Sequence, residues 1–183
     1  RQAYPVREEM RASPAEWVPH SGTLGAYLHI PFCQQRCHYC SFNTGPCRSA
    51  AMDRFLAALG SEIDLAGGAD WASGVVVGTV FFGGGTPSLL AADELAEILD
   101  RLRKRFALAP DVEVTVECNP ESTSREKLEG YRLAGVNRIS LGVQSLDNAL
   151  LLRLGRLHSA PEARRAFEAA RAAGIQNINV DLM

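Results

Sequence analysis

Cys33, Cys37 and Cys40 stand in one short loop with the spacing C-x-x-x-C-x-x-C, inside the run Tyr27-Leu-His-Ile-Pro-Phe-Cys33-Gln-Gln-Arg-Cys37-His-Tyr-Cys40-Ser-Phe42. An odd set of thiolates this close leaves a remainder if two of them pair as a disulfide. Cysteine thiolates are the usual ligands of iron–sulfur clusters. Three can hold three irons of a cubic [4Fe–4S] cluster, which leaves the fourth iron open to a small molecule. Zinc is the competing reading, with four N/S ligands and His38 as the fourth. His38 is adjacent to Cys37, a poor spacing for closing a tetrahedron. Cys47 and Cys118 fall outside the motif and read as free thiols, Cys118 as a small hydrophobe in a strand.

A second group of residues sits where apolar segments end. Gly83-Gly84-Gly85-Thr86-Pro87 follows a β-branched and aromatic run. Glycines there let backbone approach a ligand closely and offer it N–H and C=O groups. The segment lacks the Gly-Lys-Ser/Thr ending of a Walker A loop. Glu117 ends the strand-like Val-Thr-Val-Glu. A carboxylate at that position needs a partner, which would be a ligand hydroxyl or ammonium, or else an ion pair with Arg138. Gln144 ends Ile-Ser-Leu-Gly-Val-Gln, Asp181 sits in a terminal apolar segment, and Arg156 lies in Leu-Gly-Arg-Leu-His. By position alone Arg156 would be a surface cation.

Strand-like and helix-like segments alternate around these residues. Strands are expected at Leu24–Ile30, Val75–Phe82, Val112–Cys118, Asn137–Val143 and Asn177–Met183. The nearly unbroken apolar run of the second suggests burial on both faces. Helices are expected over 50–66, with Phe55, Leu59 and Ile63 on one face, and over 91–106, with Asp93 as N-cap. Others are expected at Ser122–Ala134, capped by Ser122 or Thr123, at Asp147–Leu154, and at Pro161–Ala173. Gly135 and Gly174 end two of them. This alternation gives an α/β fold of parallel strands joined by crossovers. The candidate residues fall at the C-terminal ends of five strands, and in a parallel barrel those ends meet at one mouth. The expected architecture is therefore a partial TIM-like (βα) barrel with outer helices, spanning 24–183 behind a loose arm over 1–23.

Bulk properties narrow the function. The chain has 183 residues, 46% hydrophobic and 22% charged, with a net charge of −2. That composition is ordinary for a globular domain, and it does not favour nucleic acid or an anionic membrane. Lysine is confined to Lys104 and Lys127, which reads as coding bias. No apolar run approaches the roughly 20 residues of a membrane span. Residues 1–20 lack a signal-peptide core, so a reducing, cytoplasmic setting is expected. The first residue is Arg, and the last lies within an apolar segment, so the chain reads as the N-terminal part of a longer protein.

Taken together, the cysteine spacing and the triple glycine resemble the radical SAM superfamily. In it, S-adenosylmethionine (SAM) binds the open iron of a [4Fe–4S] cluster. Four stretches resemble one branch in particular: Tyr27-Leu-His-Ile-Pro-Phe-Cys33, Phe82-Gly-Gly-Gly-Thr-Pro, Gly135 to Asp147, and Leu152 to Ser159. That branch holds the oxygen-independent coproporphyrinogen III oxidases (HemN) and the HemW haem chaperones. The resemblance implies that Cys33, Cys37 and Cys40 bind the cluster and that Tyr27, Gly84 and Glu117 bind its SAM. Tyr39, Gly85, Thr86, Gln144, Arg156 and Asp181 match positions of a second SAM. It further implies haem or porphyrin as ligand, haem-accepting proteins as partners, and an electron donor such as flavodoxin or ferredoxin. The oxidases resemble C-x-x-x-C-x-x-C-x-C, and the last position here is Phe42. That departure and the Leu-Gly-Arg-Leu-His-Ser run favour the HemW form, a haem chaperone. Decarboxylation of coproporphyrinogen III, or the chemistry of another radical SAM enzyme, is the alternative.

Overall fold

The computed structural model describes residues 22–183. The expected arm therefore lies almost wholly outside the described residues, and Thr23 already opens strand β1 (Thr23–Ile30). The cysteine loop follows, tied at its base by two short strands, β2 (Phe32–Cys33) and β3 (Gly45–Pro46). Then come α1 (Ser49–Gly67), β4 (Val76–Gly84), α2 (Ala92–Arg105), β5 (Ala107–Cys118), α3 (Arg125–Ala134), β6 (Arg138–Gln144), α4 (Asn148–Leu154), α5 (Ala160–Ala172) and β7 (Asn177–Leu182).

The main sheet has the order β1-β4-β5-β6-β7, every neighbouring pair parallel. Each long strand pairs with the next in the chain and the order never reverses. A doubly wound sheet reverses at a switch point, whereas a barrel wall does not. The helices lie side by side in the same succession, α1 on α2, α2 on α3 and α3 on α5. The result is an arc of a parallel (βα) barrel, helices outside.

Strand periodicity explains why the arc has two different faces. The register row Leu28, Phe82, Val116, Ile139 points outward to the helices, and all four are buried. Leu95, Ile98, Leu99 and Leu102 of α2, at helical spacing, pack into the same core. The alternate row, Tyr27, Phe81, Thr115, Arg138, faces the concave side. Hence β4 is not covered on both faces among the described residues: Val80 and Phe82 are fully buried, while Thr79 is exposed and Phe81 half-buried. Phe81 is accommodated on the concave face by stacking on Tyr27, with 6.0 Å between ring centroids.

Two expected caps move. The N-cap of α2 is Ala91, whose N–H donates to Glu94 Oε2 at 2.7 Å, and Asp93 lies inside the first turn. The N-cap of α3 is Ser124, whose Oγ accepts from Lys127 N at 3.2 Å. Ser122 belongs instead to a 3-10 turn that extends the strand exit by three residues.

Candidate functional site

At the C-terminal ends of the strands a cavity of about 490 Å³ opens between the cysteine loop and the arc. Cys33, Cys37, Cys40, Tyr39, Gly84, Gly85, Thr86, Glu117, Gln144, Arg156 and Asp181 all line it. Tyr27, the remaining candidate, does not. It projects from the concave face deeper along β1, 59% exposed, its hydroxyl 3.1 Å from His29 Nδ1. Burial and the nearby Glu117 carboxylate raise its pKa.

Backbone contacts clamp the glycine segment onto the cysteine loop. Gly85 N–H donates to the Ile30 carbonyl and Thr86 N–H to the Phe32 carbonyl, each at 2.8 Å. A Cβ on Gly85 would sit 2.5 Å from the Phe32 oxygen, so only glycine fits. Gly84 has φ of 113°, and its N–H donates to Glu117 Oε2 at 3.0 Å. That bond, rather than an ion pair with Arg138, partners Glu117. Arg138 lies in register with Thr115 and donates to its hydroxyl at 3.3 Å. Burial raises the Glu117 pKa and Asp181 adds to this, while the Gly84 N–H and His29 pull it back. Asp181 itself accepts from Ser140 Oγ at 2.9 Å.

Two sulfurs are approached by donors. Thr86 Oγ1 lies 3.6 Å from Cys33 Sγ, and Arg156 Nη1 lies 3.4 Å from Cys37 Sγ. Arg156 is no surface cation: its Nη2 donates to Asn119 Oδ1 and to the Gly142 carbonyl, both at 2.7 Å. Asn119 Nδ2 in turn donates to Thr86 Oγ1 at 3.2 Å. Asn119 thus closes a hydrogen-bonded chain from Cys33 to Cys37, and sequence reasoning missed it. The signal available was an Asn-Pro pair directly after the Glu117 strand. Tyr39 lies beside this chain, its pKa raised by burial against the opposing pull of Arg156.

The donor set fits a cubane better than zinc. A cubane takes one thiolate per iron at separate corners, so its ligands surround a space instead of meeting at a point. The three thiols line one cavity, and among the described residues no group of three His, Cys, Asp or Glu side chains converges as on a single ion. His38 does not line the cavity; its Nδ1 lies 3.0 Å from the Arg153 carbonyl. All five cysteines are free. Burial pushes the Cys118 thiol up to about 12, and it bonds the Val116 carbonyl, which makes it a poor thiolate ligand.

A parallel arc with a three-cysteine loop at its mouth defines a class of metal-cluster protein. The Radical SAM superfamily matches residues 27–183, and the chain belongs to that superfamily, whose members carry a [4Fe–4S] cluster and SAM. It is 46% identical over 163 residues to "Heme chaperone HemW" of Mycobacterium tuberculosis, an alignment covering 87% of this chain and 41% of the relative. The corresponding protein of Escherichia coli is 42% identical over 161 residues, covering 87% and 42%. Among solved structures, coproporphyrinogen III oxidase (HemN) of Escherichia coli superposes with a TM-score of 0.82 at 29% identity, covering 92% of this chain and 38% of that one. The chain thus spans about two fifths of the length of these relatives. Among the described residues no helix is long and apolar enough to cross a membrane.

Proposed function

We propose that the chain is the cofactor-binding core of a HemW-type haem chaperone. Cys33, Cys37 and Cys40 each hold one iron of the [4Fe–4S] cluster and leave the fourth to SAM. When bound and reduced, the cluster supplies the electron for reductive cleavage of SAM. The chain's own residues set the conditions for this. The Thr86 hydroxyl and Arg156 guanidinium donate toward Cys33 and Cys37 and orient those sulfurs on the cavity wall. Gly84 and Gly85, without side chains, bring main chain to the edge of the cavity. Gly84 occupies one Glu117 oxygen, which leaves the other to accept from a ligand ammonium or hydroxyl, and Tyr27 shares that side of the arc. Tyr39, Thr86, Gln144, Arg156 and Asp181 line the part of the cavity available to a second SAM.

Phe42 carries the choice of a chaperone over an oxidase. It stands two residues beyond Cys40, where the oxidases have a fourth cysteine, and presents a ring, 61% exposed, to the cavity wall. The identity to HemW chaperones supports the same reading, with haem as cargo, haem-accepting proteins as recipients and a flavodoxin or ferredoxin as electron donor. The likeness to HemN favours the second reading, radical decarboxylation of coproporphyrinogen III. The full-length parent, reconstituted anaerobically with SAM and reductant, is expected to bind haem in an absorbance titration and to yield no protoporphyrinogen by porphyrin chromatography. Multiple-turnover decarboxylation would overturn the chaperone in favour of the oxidase.

A further inference from the structure

The end of β6 is strained at a residue that lines the cavity. Gln144 has φ of 65°, and among the described residues no other non-glycine has a positive φ. Ser145 N–H donates to the Val143 carbonyl, two residues back, at 2.8 Å. A hydrogen bond of that span around a positive φ is the rare γ-turn, costly for a residue with a side chain. Such a turn persists only where its surroundings hold it.

His158 supplies a hold. Its side chain is fully buried, and its Nε2 lies 3.0 Å from the same Val143 carbonyl. Its Nδ1 lies 3.2 Å from Glu121 Oε2, on the turn that follows β5. The Val143 carbonyl can only accept, so Nε2 donates to it. Burial raises the Glu121 carboxyl, but the His158 bond, its own backbone N–H and Arg156 outweigh this and leave it below its ordinary value. Glu121 thus orients the ring through Nδ1 while Nε2 faces the carbonyl. The other charged groups facing this pair are Glu162, at the start of α5, and Arg156.

We infer that His158, paired with Glu121, is a positioning residue: it clamps the Val143 carbonyl and holds the strained turn that places the Gln144 amide in the cavity. The inference rests on reading that cavity as a SAM site, and it is independent of whether the protein carries haem.

The test is a double-mutant cycle on the affinity for the second SAM equivalent, measured by equilibrium dialysis on the anaerobically reconstituted full-length protein. Iron content and the visible spectrum report an intact cluster in every variant. Glycine tolerates φ of 65°, so Gln144→Gly keeps the turn and removes only the amide. His158→Leu is expected to weaken SAM by up to about tenfold, the worth of one buried hydrogen bond. In the Gln144→Gly background it should change affinity by less than about twofold, because nothing is left to position. Should His158→Leu fail to hold its cluster, His158→Gln, which keeps one donor for the carbonyl, takes its place in the cycle with a smaller loss. Equal losses in both backgrounds would make His158 merely structural and overturn the inference. So would a Gln144→Gly variant of unchanged affinity. A wild-type protein that binds no second SAM would remove the site reading and the inference with it.

Discussion

The two faces of one set of strands differ as sharply as two proteins. Toward the helices, the row Leu28, Phe82, Val116, Ile139 is apolar and closed. Toward the concave side the neighbouring rows carry Tyr27, His29, Glu117 and Arg138, polar and partly open, beside the buried hydroxyls of Thr115 and Ser140. A step of one residue along a strand exchanges stability for chemistry. Substitutions on the two faces should therefore separate cleanly, one set moving stability and the other moving cofactor content.

The largest effect belongs to the loop at the mouth of the arc. Cys33→Ser, Cys37→Ser or Cys40→Ser should each abolish the [4Fe–4S] absorbance after anaerobic reconstitution, while Cys47→Ser and Cys118→Ser leave it nearly intact. Five variants behaving alike, or refolding on zinc alone, would end the cluster assignment. Gly85→Ala comes next. Its Cβ would meet the Phe32 backbone at 2.5 Å, which has no flexible side chain to give way. Reconstituted iron should fall well below wild type while far-ultraviolet circular dichroism stays the same; full iron loading would show that the clamp is dispensable.

The opposite face should give the reverse pattern. Leu99 is fully buried among β-strand side chains, and Leu99→Ala should cost about 2–5 kcal/mol by transfer and cavity effects. Iron and SAM stoichiometry should stay at wild-type levels at low temperature, where the variant remains folded. Loss of cluster in step with loss of stability would mean that the two faces are not separable.

What the sequence made legible follows from how local each feature is. The cysteine triad and the triple glycine carry their meaning in their own spacing, and five strand ends bearing polar residues were enough to indicate a barrel mouth. The partner of Glu117 was not legible, because sheet register decides it. Arg138 is one strand away but two rows lower, level with Thr115. Caps were ambiguous for a different reason: Ser122, Thr123 and Ser124 each offer an oxygen, and the 3-10 turn decides which of them begins the helix. Asn119 and His158 act through partners 37 and 15 residues away. No window of sequence holds both ends of such a bond.

The smallest effect distinguishes the faces by pH. The folded Glu117 carboxyl sits above its ordinary value, chiefly through burial, so the native chain keeps that proton to higher pH than the unfolded chain does. The stability it contributes is complete below the ordinary glutamate range and is lost as pH rises toward the raised folded value. Glu117→Gln removes the proton difference. Measured by urea unfolding between about pH 4 and pH 7, the variant should gain on wild type as pH rises, and the gap should level off above the folded value. Val116→Ala, one residue away on the helix face, carries no titrating group and should run parallel to wild type throughout. If SAM presents its ammonium to Glu117, adding SAM should bring the carboxyl back down and flatten the wild-type slope. Parallel curves for Glu117→Gln and wild type would show that the carboxyl is solvated in solution. The concave face at that row would then be an open surface and not a site.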